Sequence, residues 1–340
     1  MARRFKTPVL IATIALFGWL AMNVQLVQAE PTTPLKSVKP ADAERLRAFW
    51  SPILRRPDVM TVKGDPTKTL GATWLAALGE RLFFDSRLSG GQSIACATCH
   101  QPALGFADGQ ALRTGLRGRR LAHTVPSLWG VGGAKALNWD GAVATLEEHT
   151  DQPLTDPDEM AANWDDVLAR LRADPAIRIT LPDGMELTAQ TVRAALASYQ
   201  RRLDAPRTRF DRWIEGERTA LSPEEQAGFA LFVGKASCIS CHNGPRFSDD
   251  RLHDIGLQEQ SSGALKLVAG GAKKTPHLRG ISKTGPYMHD GRFETLEETL
   301  AHYGRRGLRI GLQHHARTRP AVVTLSESEQ FALRAFLETL

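Results

Sequence analysis

All four cysteines of this 340-residue chain fall inside two Cys-x-x-Cys-His strings, Cys96-Ala97-Thr98-Cys99-His100 and Cys238-Ile239-Ser240-Cys241-His242. The spacing is that of c-type haem attachment: two thioether bonds fix a porphyrin edge and the adjacent histidine meets the iron. A redox Cys-x-x-Cys motif does not need the histidine, and zinc needs ligands that close a tetrahedron. One string could arise by chance; two that consume every cysteine are hard to explain otherwise. The expected cofactors are two covalently bound haem c groups, one on Cys96, Cys99 and His100, the other on Cys238, Cys241 and His242. No cysteine remains for a disulfide, so the haems themselves become covalent core.

The N-terminus agrees with a chain that matures outside the cytoplasm. Arg3, Arg4 and Lys6 precede an apolar run from Val9 to about Met22, and Val27-Gln28-Ala29 has the small residues of a cleavage site. Residues 1–29 read as a signal peptide, with periplasmic localisation expected; the alternative, an uncleaved anchor, is disfavoured by the short apolar run. Removing that segment takes away three basic and no acidic residues, so the formal charge of +6 falls to +3. Ionised haem propionates would offset part of the remainder, and nothing points to nucleic acid. No later segment is apolar enough to span a bilayer.

The two halves repeat each other. Val125-Pro126-Ser127-Leu128-Trp129-Gly130-Val131 aligns with Thr275-Pro276-His277-Leu278-Arg279-Gly280-Ile281, Asp140-Gly141 with Asp290-Gly291, and Thr145-Leu146-Glu147-Glu148 with Thr295-Leu296-Glu297-Glu298, all at an offset of 150 residues. Phe106-Ala107-Asp108 matches Phe247-Ser248-Asp249 after the two haem strings. The expected fold is mainly α: two tandem cytochrome c-like one-haem domains with long loops, residues 30–210 and 211–340, related by internal duplication. Apolar spacing predicts helices over 69–84 and 188–203, and Asn163 caps another. Ser222-Pro223-Glu224-Glu225, Thr295 with Glu298, and Ser326 with Glu329 are capping boxes that open further helices. The boundary is expected near the polar stretch 204–221.

Several strings resemble the bacterial dihaem cytochrome c peroxidase and MauG family: Leu82-Phe83-Phe84-Asp85 with Arg87-Leu88-Ser89, Gly105-Phe106 with Asp108, Trp139-Asp140-Gly141, Glu159-Met160, and Pro286-Tyr287-Met288-His289-Asp290-Gly291. The resemblance covers roughly residues 70–340 in family order. It implies that peroxide reacts at the N-terminal haem, with His100 its proximal ligand. The peroxidases carry a removable distal histidine sixteen residues further on; here that position is Leu116, which cannot bind iron. The site is therefore expected to be open, as in the MauG-like branch, unless His123 or His149 fills it.

By the same resemblance Glu159 is the distal acid–base, taking a proton from peroxide and returning it to the leaving oxygen. His149 stands where the family often has glutamine and is a second catalytic candidate, expected to respond to pH near neutrality. Trp139 matches the tryptophan between the haems and is expected to share charge between them. His242 holds the second iron, and Tyr303 stands where peroxidases present methionine; tyrosine lowers the potential that methionine raises. Met288 and His302 are rival ligands. Thr284 and Pro286 match a calcium-binding string, which adds one calcium ion to the expected cofactors; Thr124 replaces the string's asparagine, so that ion is expected to be weakly held or absent.

These features point to an oxidoreductase with a MauG-like reaction: hydrogen peroxide generates a high-valent dihaem state, and a protein partner's Trp or Tyr is oxidised at long range. The alternatives are a peroxidase fed by a small cytochrome c or cupredoxin, and a non-catalytic electron-transfer cytochrome.

Overall fold

Polar caps mark where the helices begin. The computed structural model describes residues 39–57, 72–255, 257, 272–306 and 324–340; the expected leader and the start of the predicted 69–84 helix lie outside them. The helices are α1 (Pro40–Leu54), α2 (Ala72–Phe83), α3 (Cys96–Cys99), α4 (Leu146–Thr155), α5 (Trp164–Arg172), α6 (Pro175–Arg178), α7 (Ala189–Gln200), α8 (Arg209–Ile214), α9 (Pro223–Val233), α10 (Leu296–Arg306) and α11 (Glu327–Leu337). Asn163 accepts from the N–H groups of Asp165 and Asp166 at the start of α5, and Thr188 accepts from Thr191 at the start of α7. Ser222 and Ser326 each close a full capping box, at α9 and α11. Among the described residues sheet is confined to one short antiparallel pair, β1 (Leu252–His253) and β2 (Lys273–Lys274), with Leu252 opposite Lys274. Among the described residues no helix is long and apolar enough to cross a membrane.

Two apolar cores form, each around a helix crossing that only glycine permits. In the first, α2 meets α7 where a Cβ on Gly79 would lie 1.9 Å from the carbonyl oxygen of Ala195. Leu78, Leu82, Leu154, Leu171 and Leu196 fill that core. In the second, α9 meets α11 where a Cβ on Gly228 would lie 1.9 Å from the carbonyl oxygen of Ala332. Phe210, Phe229, Phe232, Phe247 and Phe336 pack there, mostly edge to face. α2 and α9 are the helices that lead into the two haem strings, so each string starts from a rigid base.

α1 departs from the expected order. It precedes the first string in sequence, yet its Leu54 is fully buried in the second core. Arg56 extends this attachment: it donates to the carbonyl of Ala205 and pairs with Asp204 and with buried Asp211. Asp211 also takes the guanidinium of Arg279 at 2.8 Å. The expected boundary stretch 204–221 likewise contains α8, whose Phe210, Trp213 and Ile214 face the second core behind a Thr208–Asp211 capping box. Apolar residues at i, i+3 and i+4 carry that helix inward despite the charges around them.

Local geometry recurs at the 150-residue offset. Gly130 and Gly280 have φ of +65° and +66°, Asn138 and Met288 of +61° and +71°, and Gly141 and Gly291 of +67° and +64°. The bridge Leu137–Val143 has its counterpart in Tyr287–Phe293.

Candidate functional site

Each Cys-x-x-Cys string forms one helical turn that ends at its histidine. Cys96–Cys99 is α3 and Cys238–Ser240 a 3-10 turn. The imidazole Nδ1 of His100 lies 2.9 Å from the carbonyl oxygen of Phe106, and that of His242 lies 2.9 Å from the carbonyl of Phe247. A carbonyl can only accept, so Nδ1 carries the proton and Nε2 keeps its lone pair for a metal. Phe106 and Phe247 both adopt left-handed backbone, with φ of +59° and +56°, which turns these carbonyls toward the rings. Burial holds both histidines below their usual pKa, which favours the neutral imidazole.

None of the four sulfurs is paired in a disulfide, and burial pushes the thiols of Cys96 and Cys238 up to about 12. Cys238, Cys241, His242, Tyr303, Met288 and Trp139 line one cavity of about 280 Å³. At the second string a thiol pair, a neutral imidazole with a free nitrogen and this void are the donor set of a covalently held haem, and they fit that group.

Tyr303 projects into this cavity from α10. Burial raises its phenol pKa, followed by the nearby sulfurs of Cys238 and Cys241, which places its side chain close to the same string that carries His242. Met288 lines the same cavity. His302, the neighbouring rival, instead directs Nε2 to the carbonyl of Ile255 at 3.1 Å.

Trp139 stands where the two halves meet. Its indole N–H donates to the carbonyl of Thr124 at 3.2 Å, and its own carbonyl accepts from Lys274 N–H at 2.8 Å. His289 meets the indole edge to face at 6.4 Å. Thr124 closes a latch between the halves: its N–H donates to the carbonyl of His289 and its hydroxyl to that of Met288.

Trp129, which sits in the repeated string without being singled out by it, is a second wedge between the halves. A Cβ on Gly280 would lie 2.0 Å from its ring and one on Gly105 3.0 Å from it. Both glycines have φ of +66°. The signal was available in retrospect: Trp129 and Gly280 belong to the repeated strings, Gly105 to a string of the family resemblance, and a bulky residue at Trp129 needs small ones opposite.

On the first half, the loop bearing Leu116 lies against the loop bearing Glu159. Leu116 N–H donates to the carbonyl of Asp158 at 3.0 Å, and a Cβ on Gly115 would collide with that carbonyl. Burial, with a lesser contribution from Asp156, pushes the Glu159 carboxyl up to about 7. Its charge also reaches the thiol of Cys99, which ties it to the His100 string.

His149, on α4, feels His100 and lines the cavity of Trp139 and Tyr303. Burial lowers its pKa to about 4, so it stays neutral near pH 7, contrary to the expected pH response. His123 packs beside His289 at 5.7 Å, near Asp140 and Asp290.

Comparison with known proteins follows the same lines. The family model of di-haem cytochrome c peroxidases matches residues 74–219. The methylamine utilization protein MauG of Methylorubrum extorquens is 40% identical over 276 residues, covering 78% of this chain and 77% of that protein. The cytochrome c551 peroxidase of Nitrosomonas europaea is 27% identical, covering 90% and 86%. A solved MauG-like protein associated with microbial copper homeostasis superposes with a TM-score of 0.71 at 28% identity, covering 84% and 93%.

Proposed function

The chain belongs to the di-haem cytochrome c peroxidase and MauG family, and from that premise we propose that it is a periplasmic MauG-like member that oxidises a Trp or Tyr of a protein partner. It is an oxidoreductase with two haem cofactors that acts with hydrogen peroxide and a protein redox partner or substrate. In this reading the haems are c-type, attached through Cys96 and Cys99 and through Cys238 and Cys241, with His100 and His242 as iron ligands. The paired local geometry 150 residues apart supports an ancestral duplication. The functional units are 72–205, and 208–340 with α1 added. When bound, the haems supply the iron chemistry that reduces peroxide by two electrons.

The chain's own residues divide the remaining work. Leu116, an apolar side chain where the peroxidases hold a ligand, leaves the approach to His100's partner face clear. Glu159, with a pKa of about 7, is half ionised at neutral pH, so it can take the first proton of peroxide and return it to the departing oxygen. Trp139 is held from both sides by main-chain hydrogen bonds, a placement suited to electron exchange between the halves. Its N–H faces a carbonyl that cannot accept a proton, so electron loss there carries no proton with it. Tyr303 would close the second iron as phenolate.

The observation that carries this reading is the Tyr303 phenol in the cavity of His242, close to both sulfurs of that string. The presence of Met288 on the same wall favours one other reading, a peroxidase whose high-potential haem takes electrons from a small cytochrome c or cupredoxin. Peroxide added to the fully oxidised protein separates them. An immediate absorbance change without prior reduction is expected; a requirement for half-reduction would favour the peroxidase.

A further inference from the structure

Tyr199, on α7, belongs to a run of aromatic rings that begins at His100. The His100 ring lies 6.5 Å from that of Phe83, and Phe83 lies 5.1 Å from Tyr199. Phe84, half exposed, covers Tyr199 from outside at 6.5 Å. The run crosses from the wall of the first site to the surface in two ring contacts. Its position is enforced by the α2–α7 crossing, where a Cβ on Gly79 would touch the Tyr199 Cβ at 3.0 Å.

The chain has three tyrosines, and they differ in what can happen to the phenol proton. Tyr287 donates its hydroxyl to the carbonyl of Ile281 at 3.0 Å, an acceptor that cannot take the proton away. Tyr303 lines the cavity of the second half, beside the sulfurs of Cys238 and Cys241. Tyr199 is only partly buried, and the exposed carboxylate of Glu80 acts on its phenol by charge. Losing an electron makes a phenol strongly acidic, so oxidation at a tyrosine is practical only where a base or water receives the proton. Tyr199 meets that condition and also stands in the ring run that begins at His100.

We infer that Tyr199 is the electron exit of the first half: electrons drawn toward His100 leave from its ring through Phe83, and its proton passes to Glu80 or solvent. This rests on the proposed reaction of peroxide at the His100 half. With a partner docked, Tyr199 recovers its electron from the partner's oxidisable side chain. With none, the ring itself is oxidised to a catechol. The balance closes: one aryl C–H becomes C–OH, the tyrosine loses two electrons, and one hydrogen peroxide yields one water.

The test mixes the haem-loaded protein with stoichiometric hydrogen peroxide in the absence of any partner. Freeze-quench electron paramagnetic resonance should detect a tyrosyl signal, and peptide mass spectrometry should place one added oxygen on Tyr199. Tyr287→Phe should keep both, Tyr199→Phe should lose both, and Glu80→Gln should slow the signal's appearance. Peroxide consumption with Tyr199 unmodified, or a tyrosyl signal that survives Tyr199→Phe, overturns the exit while leaving the proposed function intact. A wild type that consumes no peroxide overturns both.

Discussion

Glu159→Gln should separate two consequences of one buried carboxyl. Burial raises Glu159 from 4.5 to about 7. At 1.36 kcal/mol per pKa unit, that difference amounts to roughly 3 kcal/mol between its protonation states. A carboxyl whose pKa rises on folding binds its proton more tightly in the native state. Its favourable contribution is therefore complete below about pH 4.5 and lost as pH rises through about 7. Glutamine carries no such penalty. The variant should match wild type in stability near pH 4 and exceed it at pH 8, by up to roughly 3 kcal/mol as an upper bound. Denaturant unfolding of the haem-loaded protein at the two pH values reads that difference.

The same substitution should cripple the reaction it stabilises. Only the ionised carboxyl can take a proton from peroxide, so the wild-type rate should climb about tenfold per pH unit below 7 and level off above it. Glu159→Gln should be at least about a hundredfold slower at pH 8 and show no inflection near 7. Stopped-flow absorbance after peroxide addition measures both. A variant that reacts at the wild-type rate, or keeps the inflection, refutes the assignment. His149, at about 4, could not supply an inflection near 7.

Trp139→Phe should leave peroxide consumption near its normal rate while oxidation of the partner falls, as measured by separate assays of peroxide loss and product. Gly280→Ala combines a φ of +66° with a Cβ 2.0 Å from the Trp129 ring, so it should lower stability by at least about 2 kcal/mol in denaturant unfolding. Asp211→Ala leaves the guanidinium of Arg279 and that of Arg56 without their shared buried carboxylate, at a cost of about 3–5 kcal/mol and with loosening of α1 visible in hydrogen exchange.

What could be read from the sequence was whatever depends on local spacing. The haem strings, the caps at Asn163, Ser222 and Ser326, and the repeat at 150 residues are short-range patterns, and each has its counterpart in the structure. Tyr303 lines the cavity while His302 turns to Ile255, as neighbours about 100° apart on one helix do. Long-range facts were not legible. Nothing in the composition of Pro40–Leu54 says that its apolar face belongs to the second core, because any apolar stripe fits any core. The α8 helix hid inside a charged stretch, its three inward residues outnumbered by polar neighbours. His149 looked like a pH-responsive group because its type is visible in sequence and its burial is not. Tyr199 carries no motif and Trp129 is one residue among seven in a repeated string; their importance arises from what the fold sets beside them.

The identity of the sixth ligand at the His242 iron bears most directly on the whole account. Electron paramagnetic resonance of the ferric protein should show two distinct haems, one high-spin and one low-spin. Tyr303→Phe should abolish or shift the low-spin signal, and Met288→Leu should leave it in place. A low-spin signal unchanged by Tyr303→Phe and lost in Met288→Leu would contradict the tyrosine ligand and return the chain to the ordinary peroxidases.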